Sequence, residues 1–301
     1  MNLVITGASG FIGSTLADRL GDEGHALVLL SRIPPAEQIL PNKRWLTWKP
    51  GVSGDWIKSI DGADGIIHLA GEPIAGKRWS FAQKEKLRNS RIATTAALVD
   101  AIRQAEVKPK FLISSSAVGY YGARRDETLT EESAPGNGFL ARLCLDWESE
   151  ANKAKDFGVR VAILRTGIVL GRGKGALAKM VPPFRFFAGG SLGSGTRWFP
   201  WIHLSDAIGL IKFLIEDDQA KGPFNVTAPK PVTMSDFCNA LAKALNRPSW
   251  LPAPAPLLSL MLGEMAEMLL TGQRAVPQAA LGRGYQFKFA NALEALESLK
   301  L

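Results

Sequence analysis

The sequence predicts a doubly wound α/β fold: a mostly parallel sheet with helices on both faces, followed by a smaller C-terminal part. Three observations predict it. Short apolar runs alternate with helical patterns through the first half, a glycine-rich turn joins the first strand to the first helix, and this rhythm breaks beyond Gly171. Near-continuous apolar strands between helices are buried on both faces, which is the mark of a parallel sheet.

The elements follow in order. "LVIT" (Leu3–Thr6) is a strand, and "FIGSTLADRLGDEG" is a helix closed by glycine. "ALVLLSR" (Ala26–Arg32) and "GIIHLAG" (Gly65–Gly71) are further strands, the latter followed by a long helix through about Ala105. "KFLISSS" (Lys110–Ser116) and "VRVAILRT" (Val159–Thr166) complete the series, with a helix through Asp146 and Trp147 between them. Residues 1–170 thus form the core, joined by strands from about 197–230, and 171–301 mainly form the C-terminal part. There, strand–helix units return at "GPFNVT" and "SDFCNALAKAL", and a proline-rich joint, Leu251–Pro256, leads into "LLSLMLGEMAEMLL". Its apolar stripe reads as a helix facing a small core, with a partner surface as the alternative.

Composition excludes several classes of function. At 46% hydrophobic and 21% charged, with no internal repeat, the 301 residues describe a folded globular chain. Cys144 and Cys238 are isolated, without the spacing of a zinc site or a disulfide framework, so no metal is expected and a reducing, cytoplasmic setting is. Met1 leads straight into a strand with no room for a signal peptide, and no apolar run approaches the ~20 residues that span a bilayer. The net charge of +8 favours an anionic partner. Its densest group, Gly76–Arg91, reads as a solvated helix face without the basic–aromatic stripe of a nucleic-acid binder, so neither nucleic acid nor membrane is an expected partner.

The chemistry starts at "ITGASGFIG". Gly7, Gly10 and Gly13 lie between the first strand and the first helix, where glycines let the backbone turn sharply and approach a pyrophosphate at a helix N-terminus. This predicts a dinucleotide site using Thr6, Gly7, Gly10, Phe11, Ile12 and Gly13. The second strand ends in Ser31 and Arg32 with no carboxylate. An acid there would hold the ribose 2′-hydroxyl of NAD, whereas an arginine pairs with the 2′-phosphate of NADP, so NADP(H) is preferred over NAD(H). Ligands of such sheets bind beyond the carboxyl ends of the strands, which adds Leu69, Ala70, Gly71 and Ser114. His68 reads as a buried, hydrogen-bonded strand residue.

"TGASGFIG", "HLAG", "SSSA…YYG", "LRTGIVLG" and "PWIHLSDAI" resemble, in this order, the motifs of the extended short-chain dehydrogenase/reductase superfamily. "GEPIAGKRW", "GGSLGSGTRWFPWIH" and "GQRAVP" look like its atypical epimerase-family branch, and the similarity covers nearly the whole chain. The resemblance implies a Rossmann core that binds NAD(P), a substrate-binding part drawn mostly from the C-terminal third, and an oxidoreductase or epimerase-like activity on a small molecule. A helix-pair homodimer is common in that superfamily, though no residue here specifies one. The resemblance places Arg165, Thr166 and Gly167 at the nicotinamide end and Ser116 on the reacting oxygen. Arg197 and Trp198, in a glycine-rich loop, would meet the substrate.

The chain departs from the pattern in one respect. Relatives carry Tyr-x-x-x-Lys on the helix after the serines, and here that helix reads "NGFLARLCLDWESEA". A free tyrosine is ionised in only about one molecule in a thousand at pH 7, and a lysine normally favours the phenolate. Tyr121 is left as a candidate proton donor or wall residue, with Arg142 the nearest cation on that helix, though it reads first as a helix-surface arginine. The alternative to an enzyme is an NADPH-binding regulatory or redox-sensing protein.

Overall fold

The computed structural model describes residues 1–35 and 41–301. Seven strands form its central sheet: β1 (Asn2–Thr6), β2 (Ala26–Ser31), β3 (Lys43–Thr47), β4 (Gly65–His68), β5 (Phe111–Ala117), β6 (Arg160–Thr166) and β7 (Gly222–Val226). All neighbouring pairs are parallel, in the order β7-β6-β5-β4-β1-β2-β3. The chain runs outward from β1 through β2 and β3, then returns to β4 on β1's other side. That reversal opens a crevice beyond the carboxyl ends of β1 and β4, where Thr6 pairs with His68.

The main helices are α1 (Phe11–Asp22), α2 (Phe81–Asn89), α3 (Ile92–Gln104), α4 (Phe139–Asn152), α5 (Leu204–Glu216) and α6 (Met234–Leu245). Alternate strand residues face opposite sides. Ile5, Ile67 and Ile113 meet Leu16 and Leu20 of α1 and Ile208, Ile211 and Leu214 of α5. Val4, Ile66 and Leu112 meet Leu98 and Ile102 of α3 and Ala151 of α4. Each such aliphatic side chain contributes about 1.5–3 kcal/mol by leaving water. A smaller third core packs α6 and the last helix, Ala292–Ser298, around Leu170, Phe199 and Trp201. Among the described residues, no helix is long and apolar enough to cross a membrane.

Three features differ from the sequence reading. The edge strand β3, "KRWLT", is only five residues long with no buried position, so it carries no apolar run to announce it. The long helix ending near Ala105 is two, α2 and α3, broken at Ser90 and Arg91. Ser90 Oγ accepts the Glu72 amide N–H there, and Arg91 folds its guanidinium back to the Glu72 carbonyl. The third concerns "LLSLMLGEMAEMLL", expected to face a core. Its helix Ala255–Leu262 has no buried residue. Gly263, at φ +60°, ends it, and only Met265 and Ala266 just beyond are buried. A left-handed residue cannot continue a right-handed helix, so the second half turns inward while the first stays outside.

Candidate functional site

Gly7 follows β1 at φ +68°, the left-handed region that favours glycine. A Cβ there would also lie 2.7 Å from the Leu69 carbonyl carbon, so the turn needs a bare backbone twice over. Its carbonyl accepts the Gly10 N–H at 2.9 Å, and Gly10 starts α1 without a side-chain cap. Gly13 is buried in the first helical turn, and a Cβ there would overlap the Gly7 carbonyl oxygen. The first turn of α1 carries no acidic residue. Free amides and the positive end of the helix dipole therefore face the crevice, with Ser9 and Gly10 exposed and Phe11 and Ile12 half-buried.

A hydrogen-bond chain fixes the opposite wall. Thr95 Oγ1 donates to the Arg91 carbonyl at 2.7 Å and accepts Trp147 Nε1–H at 3.0 Å. With its hydrogen committed, Thr95 accepts from His68 Nε2–H at 3.0 Å, which leaves His68 Nδ1 as an acceptor for the Thr6 hydroxyl at 2.6 Å. Thr6 Oγ1 in turn accepts the Ala70 N–H at 3.2 Å. His68 is fully buried, and desolvation followed by the Arg91 charge lowers its pKa to about 3. The imidazole is thus a neutral strut holding Leu69 and Ala70 against Gly7. Thr6 acts on the crevice through that strut, since its own hydrogen points inward.

Ser31 ends β2 and Arg32 follows it directly, and the two differ in exposure. Ser31 is buried and its Oγ donates to the Ile33 carbonyl at 3.0 Å. The Arg32 side chain is 73% exposed, with Glu72 Oε2 3.9 Å from its Nη1. Glu72 follows Gly71 on the loop after β4, so the ends of β2 and β4 meet there.

The serine cluster leads into a buried polar network. Ser116 Oγ donates to Glu148 Oε1 at 2.6 Å. Glu148, on α4, also receives Arg165 Nε at 3.0 Å and Nη2 at 2.9 Å, a fork-to-carboxylate pair. Arg165 Nη1 donates to Tyr121 OH and to the Glu131 carbonyl, both at 3.1 Å, while its guanidinium lies 3.4 Å from the Tyr120 ring centre. Tyr121 OH donates to Asn225 Oδ1 of β7 at 2.7 Å. The adjacent Ser114 is fully buried, and its Oγ has no partner among the described residues. A cavity of about 460 Å³ is lined in part by Arg124, Asn137 and Glu267, and no member of this network is among its lining residues.

Arg165, which the resemblance places at the nicotinamide end, is buried, turned inward and paired with Glu148. Tyr121 is 0% exposed and faces Asn225 rather than the crevice. Burial raises its pKa to about 12, against the opposing pull of Arg165, so the phenol stays protonated at neutral pH. Arg142 is exposed on α4, and the cation beside Tyr121 is Arg165. Thr166 caps its own strand by donating to the Leu164 carbonyl, and Gly167 allows the Pro200 carbonyl to pass close by. Arg197 is exposed, and Trp198 Nε1 donates to Asp126 at 2.9 Å; neither is among the hydrogen-bond partners of Ser116.

Sequence reasoning missed Glu148, Asn225 and Arg91. Glu148 carried a signal. With Ala141, Cys144 and Ala151 it falls on the apolar face of α4, where an acid needs a partner. Asn225 and Arg91 offered none: Asn225 bonds Tyr121 and Val276, both distant in sequence, and Arg91, beside its local bonds to Leu87 and Ser90, reaches back to Glu72.

A family model for the NAD dependent epimerase/dehydratase family matches residues 3–227, and a domain of unknown function (DUF1731) matches 253–299. The Arabidopsis thaliana epimerase family protein SDR39U1 homolog, chloroplastic, is 42% identical over 307 residues, covering 99% of this chain and 86% of that one. Epimerase family protein YfhF of Bacillus subtilis is 38% identical over 301 residues, covering 99% and 98%. The crystal structure of human epimerase family protein SDR39U1 (isoform2) with NADPH matches at 32% identity and a TM-score of 0.89, covering 100% of this chain and 99% of that one. On a match that runs from β1 through β7 and on relatives aligned end to end, this chain belongs to the NAD dependent epimerase/dehydratase family.

Proposed function

We propose that the chain binds NADP(H) in preference to NAD(H), in the crevice beyond β1, β2 and β4, and acts as an oxidoreductase or epimerase-like enzyme on a carbonyl- or sugar-type small molecule. One observation carries the reading: uncapped amides at the start of α1 and the exposed fork of Arg32 border the same crevice. The human relative solved with NADPH supports it. When bound, the coenzyme supplies hydride exchange. The amides after Gly10 offer donors to its diphosphate, and Arg32 offers a fork to the 2′-phosphate. Ser116, whose hydrogen is directed to Glu148, presents oxygen lone pairs and so accepts from a substrate hydroxyl. Tyr121 anchors the wall behind it as a neutral phenol.

A second reading is favoured by that same network. Ser116, Glu148, Arg165, Tyr121 and Asn225 satisfy one another, and no Tyr-x-x-x-Lys pair stands in for them. This suits an NADPH-binding regulator without turnover. Eight tryptophans give a fluorescence signal for titration with NADPH and NADH. The expected result is tighter NADPH binding, with Arg32→Ala removing that preference; equal affinity for both coenzymes refutes the role given to Arg32. Hydride exchange across carbonyl compounds and nucleotide sugars then separates the readings. Turnover that Ser116→Ala lowers supports the enzyme, and tight NADPH binding without turnover supports the regulator.

A further inference from the structure

Two charged groups beside Arg32 have no part in the proposed site so far. Glu72 carries its carboxylate between two cations: Oε1 lies 3.1 Å from Lys86 Nζ on α2, and Oε2 lies 3.9 Å from Arg32 Nη1. Its backbone is fixed on both sides, the amide donating to Ser90 Oγ at 3.1 Å and the carbonyl accepting Arg91 Nη2 at 3.0 Å. The carboxylate is only 15% exposed, whereas Lys86 is 53% and Arg32 73% exposed. An acid is thus held firmly beside the arginine that would receive a phosphate, where like charges repel.

We propose that Glu72 and Lys86 set the coenzyme preference of this site, Lys86 holding the Glu72 carboxylate so that Arg32 is free for a 2′-phosphate. The inference rests on the NADP(H) reading above. Arg32 makes the longer of the two ion pairs, so it is the partner more easily drawn away. Without Lys86, Arg32 is the one ion-pair partner left to the carboxylate among the described residues, and the carboxylate competes with the 2′-phosphate for it. The same carboxylate can accept a bare ribose 2′-hydroxyl, the role an acid plays at an NAD site. Glu72 therefore acts against the phosphorylated coenzyme, and Lys86 acts by restraining Glu72.

The test uses NADPH, NADH, 2′,5′-ADP and 5′-ADP as probes, titrated against the full chain and three variants. Lys86→Ala is expected to weaken NADPH and 2′,5′-ADP by about threefold or more, on the scale of one exposed ion pair, and to leave NADH and 5′-ADP within about twofold. Glu72→Gln is expected to tighten NADPH and 2′,5′-ADP. The double variant decides the mechanism: with no carboxylate left to restrain, loss of Lys86 should have little further effect on 2′,5′-ADP. Equal weakening by Lys86→Ala in both backgrounds would mean that the lysine touches the phosphate directly, and overturns the inference. So does unchanged binding in Lys86→Ala. Failure of the parent protein to bind either coenzyme overturns the underlying cofactor reading instead. Melting temperatures of the variants exclude unfolding as the cause.

Discussion

At the scale of the residue, the central fact is a charge placed where charge is expensive. Arg165 and Glu148 are both buried, and each is satisfied several times over: two bonds join them, Ser116 completes Glu148, and Tyr121 and the Glu131 carbonyl complete Arg165. Buried pairs of this kind contribute little net stability while intact, but breaking one leaves an unpaired charge behind. Glu148→Gln is therefore expected to destabilise the protein by about 3–5 kcal/mol. Tyr121→Phe removes only a hydroxyl between two partners and should cost about 1–3 kcal/mol. Urea unfolding measures both. A change below about 0.5 kcal/mol for Glu148→Gln, on the scale of an ordinary surface substitution, would contradict the buried pairing.

At the scale of the element, the glycine turn was the most legible part of the chain, because its constraints are local. Gly7, Gly10 and Gly13 act within one strand–turn–helix unit, so their spacing alone implies their geometry. The orientation of Arg165 was not legible, because its partners come from α4, from the loop holding Glu131, and from Tyr121. The apolar run after Pro256 misled for a different reason. It lacks a polar face, so its pattern does not say which side meets a core, and Gly263 divides it into an outer and an inner half. Leu260 and Met261 are 76% and 61% exposed, while Met265 packs against Trp79, Leu87 and Leu143. Leu260→Lys should accordingly change stability by no more than about 0.5 kcal/mol, whereas Met265→Lys should cost about 2–5 kcal/mol. Thermal denaturation compares the two. Similar losses for both would mean that the outer half is covered.

At the scale of the whole molecule, the wall holding Leu69 and Ala70 against the glycine turn ties stability to pH. His68 is neutral in the folded chain, its pKa lowered to about 3 by burial and then by Arg91. An unfolded histidine titrates near 6.5, so between these values the unfolded state binds the extra proton. The stability that His68 contributes is complete above about pH 6.5 and is lost as pH falls toward 3, by about 1.4 kcal/mol per pH unit once well below 6.5. His203, lowered to about 4 by burial and Lys288, acts in the same direction. Half-buried Glu131 and buried Asp206, whose carboxyls are raised chiefly by desolvation, have the opposite sign at lower pH. The urea midpoint should therefore fall between pH 7.5 and 5.5, and His68→Gln should make that fall shallower whatever it does to stability at neutral pH. NMR supplies the residue-level check, since the His68 ring resonances should not titrate down to pH 4.5. A His68 resonance with a midpoint near 6.5 would put a proton on Nδ1, which could then no longer accept from the Thr6 hydroxyl, and would contradict the neutral strut in the crevice wall.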